Sequence, residues 1–242
     1  MTSKKVVLAY SGGLDTSYCI KYLSEEMNYQ VFAVMVDTGG FSSEEIREAE
    51  DNARELGAEK FICLDRTEDY YNECLRFLIY GNVLRNNSYP LSVSAERVFQ
   101  AKAIAEYAIE LDASAIAHGS TGAGNDQVRF DIIFRVMAPG MEIITPIRDM
   151  KLSRQEEIDY LKSHGIERDW SKAAYSVNQG LWGTTVGGKE TLTSSKGLPE
   201  EQYPSQLSKN DKLNLTLVVV NGELKGINDN EFTNPVQAIQ EL

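Results

Sequence analysis

The sequence predicts an α/β protein: a doubly wound parallel five-stranded sheet with helices on both faces, followed by an incomplete α+β second domain. Three observations carry this expectation. Short apolar runs alternate with helical periodicity through the first two-thirds of the 242 residues, and strands separated by helices need parallel crossovers. Two of the apolar runs lead directly into glycine-rich loops, at 11–17 and 118–131. The alternation stops near Gly165, beyond which Gly, Ser, Thr and Asn cluster between Ser176 and Ser208. These shifts divide the chain into expected domains at 1–165 and 166–242.

The elements follow in order. Residues 4–10 (KKVVLAY) read as a buried strand and 15–26 as a helix, with apolar residues at helical spacing. A second strand is expected at 30–37, and a helix at 43–56 that opens on a Ser-Glu-Glu cap signal and closes at Gly57. A third strand at 59–64 is followed by helices at 68–80 and 94–111. The fourth strand is 114–118, the fifth 143–146, and another helix covers 153–164. Beyond that, 213–220 and 223–227 are joined by Asn221-Gly222, the strongest short-range hairpin signal. A last helix is expected at 235–242. In a doubly wound sheet, ligands bind outside the carboxyl ends of the strands, where strand order reverses.

Composition narrows the function. A net charge of −12 leaves no broad positive surface for nucleic acid, so no nucleic-acid partner is expected. No apolar stretch is long enough to cross a membrane, and residues 1–5 run straight into the first strand, leaving no room for a signal peptide. Cys19, Cys63 and Cys74 are odd in number, widely spaced and outside any CxxC pair, which favours reduced core thiols over a disulfide framework or zinc site. A cytoplasmic location follows. His118 and His164 read as structural residues at element ends, Trp170 and Trp182 as packing residues, and the acidic stretch 44–51 as a solvated helix face.

Ser11-Gly12-Gly13-Leu14-Asp15-Thr16-Ser17 follows the first strand and opens a helix. Glycines let backbone approach a ligand closely, and free N–H groups at a helix start favour an anion. The hydroxyls of Ser11, Thr16 and Ser17 add donors. The loop lacks the GKS or GKT of a Walker A sequence and the GxGxxG of a dinucleotide site. The simpler reading is a tight turn with Asp15 or a hydroxyl as helix cap. Asp15 beside a polyanion suggests Mg²⁺ between carboxylate and phosphates. The second loop, HGSTGAGNDQVRFD from His118 to Asp131, mixes glycines with Thr121, Asn125, Asp126 and Arg129. It offers donors for carboxylates and an acceptor for an ammonium, as an amino acid requires. A polar loop in which Asn125 or Asp126 caps the next helix is the alternative.

Taken together, AYSGGLDTS (9–17), HGSTGAGNDQVRF (118–130), Tyr89-Pro90-Leu91 with Ser94 and Ala95, Leu152-Ser153-Arg154 with His164-Gly165-Ile166, Tyr175-Ser176 and Leu181-Trp182-Gly183 resemble the argininosuccinate synthase family. The resemblance runs from Lys4 to the end. It implies a fold of the PP-loop ATP-pyrophosphatase type. It implies an ATP-dependent, AMP-forming carbon–nitrogen ligase that joins citrulline and aspartate through citrullyl-AMP and releases pyrophosphate, with ATP and Mg²⁺ required.

Position by position, it implies ATP contacts at Ala9, Tyr10, Ser11, Gly12, Gly13, Leu14, Asp15, Thr16, Ser17, Val36 and Gly119. Aspartate would be bound by Thr121, Asn125 and Asp126, and citrulline by Tyr89, Ser94, Asn125, Arg129, Ser176 and Thr185. Asp15, Ser17 and Arg129 would be catalytic, with Asp15 also holding Mg²⁺ through the phosphates. Thr185 stands where the family usually has serine, and Ala123 where many relatives have lysine. Family members continue well past this length, adding further citrulline contacts and a helix used in tetramer formation. The second domain is therefore expected to be truncated, and the full-length protein to be a homotetramer. The alternatives are a non-catalytic nucleotide-binding fragment or another PP-loop adenylating enzyme. A thiolating enzyme would need catalytic cysteines and a basic surface, and an amidotransferase a glutaminase or ammonia route.

Overall fold

A computed structural model describes residues 4–87, 89–170, 175–209 and 211–242. The first three residues of the expected leaderless start lie outside the described residues. The elements are β1 (Lys4–Ala9), α1 (Leu14–Glu25), β2 (Tyr29–Asp37), α2 (Ser43–Glu55), β3 (Lys60–Asp65), α3 (Thr67–Tyr70), a π-helical turn (Tyr71–Leu75), α4 (Arg76–Tyr80), β4 (Leu84–Arg85), β5 (Tyr89–Pro90), α5 (Ser92–Glu110) and β6 (Ala115–His118). They continue with α6 (Asp126–Met137), β7 (Glu142–Ile144), α7 (Pro146–Met150), α8 (Arg154–Ser163), β8 (Tyr175–Gly180), β9 (Gly183–Gly188), β10 (Leu217–Val220), β11 (Glu223–Ile227), β12 (Asn230–Glu231) and α9 (Pro235–Glu241).

The chain divides into two compact units: Met1–Asp37, Phe41–Arg66 and Glu96–Ala173 in one, and Thr38–Gly40, Thr67–Ala95 and Ala174–Leu242 in the other. In the first unit, five strands form one parallel sheet in the order β3-β2-β1-β6-β7. Side chains alternate across β1. Val6 and Leu8 join α1 and α2 in one core with Leu14, Ile20, Leu23 and Ala53. Val7 and Ala9 join α5 and α6 in the other with Ala101, Ala105, Phe130 and Phe134. Both faces are thus covered, which explains why β1 reads as a continuous apolar run rather than an alternating one. Truncating the fully buried Leu8 to alanine would cost about 2–5 kcal/mol.

The start of α2 lies at its Ser-Glu-Glu signal. Ser42 and Ser153 each close a capping box, with Glu45 and Glu156 respectively. The expected helix at 68–80 is interrupted by the π-helical turn at Tyr71–Leu75, which has no propensity signature.

The second unit is built from short antiparallel pieces. Leu181 and Trp182 link β8 to β9 in a hairpin that no alternation of apolar residues announces. Gly40 is required there, because a Cβ would stand 2.2 Å from the Gln179 carbonyl oxygen. The Asn221-Gly222 hairpin forms as expected, both residues with positive φ. The first of its strands is shorter than 213–220. The ladder ends at Leu217, paired with Ile227, because Asn228 turns the chain at φ 53° and exchanges hydrogen bonds with the Thr216 backbone.

Candidate functional site

Strand order reverses between β1 and β6, where crossovers leave the sheet in opposite directions. The two glycine loops leave the carboxyl ends of these two strands. Ala9 pairs with His118 in the last rung of the ladder, so the loops begin side by side. Their closest approach is at Gly119. A Cβ there would lie 3.1 Å from the Asp15 carbonyl carbon and 3.2 Å from its oxygen. A side chain at this position would press on the first turn of α1, and glycine lets the second loop lie against it without displacement.

In the first loop, Gly12 takes a positive φ of 79° and turns the chain into α1. Gly13 is the N-cap and provides no side-chain bond to the helix. The first-turn N–H groups are therefore left for a ligand, with the helix dipole behind them. Neither Asp15 nor a hydroxyl caps the helix. The Thr16 hydroxyl bonds the Gly13 carbonyl (3.2 Å) and meets Ser11 Oγ at 3.3 Å. Ser11 itself is exposed and available. Ser17 is buried, and among the described residues its Oγ and the Tyr10 hydroxyl are buried without a hydrogen-bond partner. The two lie near enough for Ser17 to lower the Tyr10 phenol slightly, short of a formed bond; burial dominates and pushes Tyr10 up to about 12.

Asp15 turns toward Glu157 on α8. Glu157 is 1% exposed, and burial first, then the Asp15 charge, raises its carboxyl to about 8. Burial also raises Asp15, against the opposing hydrogen bond from Glu157 and the charge of Arg154. The two carboxyls thus hold each other's proton affinity up, and among the described residues Glu157 Oε2 is buried without a hydrogen-bond partner.

The second loop is anchored by its neighbours. His118 is 1% exposed, and burial lowers its pKa, so the ring is neutral. The Ser120 N–H donates to His118 Nδ1 (3.2 Å), which leaves the ring proton on Nε2 to be donated to Asp131 Oδ1 (3.0 Å). Arg148 on α7 donates to Asp131 Oδ2 (3.0 Å) and to Gln127 Oε1 (3.2 Å). Gln127 Nε2 in turn donates to the Gly122 carbonyl (2.7 Å) and the Gly124 carbonyl (3.3 Å).

Thr121 and Asn125 are exposed. Asn125 is the α6 N-cap, but its side chain makes no capping bond. Asp126 accepts from Arg129 (2.6 Å) and pairs with Arg97 Nε at 3.6 Å. The Val36 carbonyl accepts a long bond from Gln100, 3.5 Å. Tyr89, Ser94, Ser176 and Thr185 belong to the second unit. There, Ser94 Oγ donates to the Leu91 carbonyl (3.0 Å). Thr185 pairs with Asn178, two residues from Ser176, so Ser176 and Thr185 share one face of the β8–β9 hairpin. An open cavity of about 430 Å³, lined by Ile109, Ala113, Met137 and Met141 among others, lies beyond the amino ends of β6 and β7 and offers no titratable group.

Four residues of this arrangement escaped the sequence reading: Glu157, Asp131, Arg148 and Gln127. Glu157 had a usable signal. It sits four residues before the buried Leu161, hence on the inward face of α8. Gln127 and Asp131 lie inside the second motif, four residues apart, but only the fold brings Arg148 of α7 to them.

Residues 5–167 match the model of the argininosuccinate synthase N-terminal HUP domain. The argininosuccinate synthase of Methanocaldococcus jannaschii is 43% identical over 197 residues, covering 81% of this chain and 49% of that protein. That of Sulfolobus acidocaldarius is 38% identical, covering 90% and 58%. That of Sulfurisphaera tokodaii is 36% identical, covering 98% and 60%. The chain thus spans about half to three-fifths of the length of these curated relatives. The match over the whole parallel sheet and both glycine loops places the chain in the argininosuccinate synthase family, with the family's N-terminal HUP domain at residues 5–167.

Proposed function

We propose that this chain acts in the ATP-dependent condensation of citrulline and aspartate to argininosuccinate, with AMP and pyrophosphate as the other products. The observation that carries the reading is the uncapped start of α1 behind Gly12 and Gly13, held against Gly119 where strand order reverses. That is a place for a polyphosphate with little room around it.

The ureido oxygen of citrulline attacks the α-phosphorus, pyrophosphate leaves, and the aspartate amine then displaces AMP from the adenylated carbon. Positioning and charge stabilisation dominate such chemistry. In this account Ala9, Tyr10, Ser11, Gly12, Gly13, Leu14, Asp15, Thr16, Ser17, Val36 and Gly119 surround ATP. Thr121, Asn125 and Asp126 bind aspartate. Asn125 and Arg129, and on the second unit Tyr89, Ser94, Ser176 and Thr185, bind citrulline. Arg129, already ion-paired to Asp126, contributes a guanidinium to developing negative charge. Ser17 is assigned a supporting part, since its hydroxyl is turned into the core.

Mg²⁺ fits the residues present. Asp15 and Glu157 form an oxygen-only pair, and Mg²⁺ takes one or two protein carboxylates and completes its shell with water and phosphate. Asp15 would hold it, and its charge would offset that of the phosphates. The family resemblance implies a cytoplasmic location and a homotetramer for the full-length protein, and among the described residues no helix is long and apolar enough to cross a membrane.

The test is pyrophosphate release from ATP and Mg²⁺ with citrulline and aspartate omitted in turn. The proposal expects release that requires citrulline and argininosuccinate that requires both. ATP binding without any release would instead leave a nucleotide-binding module.

A further inference from the structure

We infer that Asp131, Arg148 and Gln127 are positioning residues that fix the shape of the 119–124 loop and so aim Thr121 and Asn125 at the amino-acid ligand. The second half of this inference rests on the proposed function; the first half does not.

The loop needs outside help to hold one shape. It contains Gly119, Gly122 and Gly124, residues with the widest choice of backbone conformation, and positions 121–125 are exposed. A loop of this kind loses much conformational freedom when it orders. If that loss fell at the moment of ligand binding, affinity would drop accordingly.

The hydrogen bonds described above form a closed circuit that starts and ends on this loop. At its amino end, the Ser120 N–H is bonded to His118, which is bonded to Asp131. At its carboxyl end, Gly122 and Gly124 are bonded to Gln127. Arg148 joins the two ends by donating to both Asp131 and Gln127. Gln127 and Asp131 lie four apart on α6 and therefore on one face of it, where a single guanidinium reaches both. The orientation of the Gln127 amide is fixed by its surroundings, since Arg148 supplies only donors and the two glycine carbonyls only acceptors. Arg148 also flanks the loop by packing, with its Cγ 3.8 Å from where a Gly122 Cβ would stand. The planar, multi-donor head is what the circuit uses, so lysine is not an equivalent replacement.

The experiment compares wild type with Gln127→Ala, Arg148→Lys and the double variant. Gln127 is partly solvent-exposed, and its removal leaves the partly buried His118–Asp131–Arg148 contacts in place, so that variant folds even if Arg148→Lys does not. Order parameters are measured for the Gly119, Gly122 and Gly124 amides, together with dissociation constants for ATP, aspartate and citrulline. The inference predicts that the Gly122 and Gly124 values fall from about 0.85 to below about 0.6 in Gln127→Ala. It predicts that aspartate affinity falls about ten-fold while ATP affinity stays within about two-fold, and that the double variant is no worse than the poorer single one. Unchanged loop order in Gln127→Ala overturns it, as does an equal loss for ATP and aspartate. A wild-type protein that binds no amino acid, but whose loop loosens in Gln127→Ala, keeps the positioning circuit and sinks the proposed function instead.

Discussion

Replacing Gly119 by alanine tests the meeting of the two loops with one methyl group. Gly119 does not have a positive φ, so alanine adds no backbone strain and the effect is purely steric. The new Cβ would stand 3.1 Å from the Asp15 carbonyl carbon, 3.2 Å from its oxygen and 3.3 Å from its Cβ. Two of these atoms are backbone in the first turn of α1, and they can yield only by moving the helix start. Overpacking of this kind costs about 1–3 kcal/mol. With about 1.4 kcal/mol of it appearing in binding, the ATP dissociation constant rises about ten-fold. The same energy lowers the melting temperature by a few degrees, at about 2–4 °C per kcal/mol for a chain of this size. Calorimetric titration with ATP and a thermal melt read both quantities. Gly140→Ala is the control, since a Cβ there meets nothing within 4 Å. If Gly119→Ala binds ATP as tightly as Gly140→Ala and melts at the same temperature, the loops do not meet where the structure puts them.

Three other changes follow from the same geometry. Gly12→Ala forces a side chain onto φ 79°, at a cost of about 1–2 kcal/mol; urea unfolding and ATP titration should both register it, and an unchanged midpoint would contradict the turn. Glu157 keeps its proton to about pH 8 in the folded protein, against an ordinary value of 4.5. The unfolded chain therefore binds fewer protons across that window, and stability falls as pH rises from about 4.5 to 8. The difference between the two values sets a ceiling of about 5 kcal/mol on that decline. Without nucleotide or divalent cation, Glu157→Gln should flatten that decline, and parallel pH profiles for the two proteins would rule the buried pair out. Ser42→Ala removes the capping box of α2 and should cost about 1 kcal/mol with no change in ATP affinity; a loss of affinity would mean that α2 supports the site directly.

Much of this architecture is legible in the chain because its causes are local. The run VVLAY at 6–10 is apolar on both sides because both faces of β1 are covered. The Ser-Glu-Glu signal at 43–45 announces α2, whose cap is Ser42 with Glu45. Asn221-Gly222 announces its hairpin. The two glycine loops could be placed together because parallel strands put their carboxyl ends on one edge. What stayed hidden depends on partners distant in sequence. Glu157 meets Asp15 only after α8 packs on α1. Asp131, Arg148 and Gln127 become one circuit only when α6 and α7 are in place. Ser17 reads as a phosphate ligand, yet its position on α1 turns the hydroxyl inward. The β8–β9 hairpin is rich in glycine and threonine, and its register comes from its two-residue link and from Gly40, which the Gln179 carbonyl approaches closely.

The most direct test of the account is isotope transfer from citrulline labelled with ¹⁸O in its ureido group, incubated with the protein, ATP, Mg²⁺ and aspartate. Attack of that oxygen on the α-phosphorus predicts that the AMP formed carries the label while pyrophosphate carries none. Unlabelled AMP, labelled pyrophosphate, or release of ADP and orthophosphate would contradict the proposed adenylation.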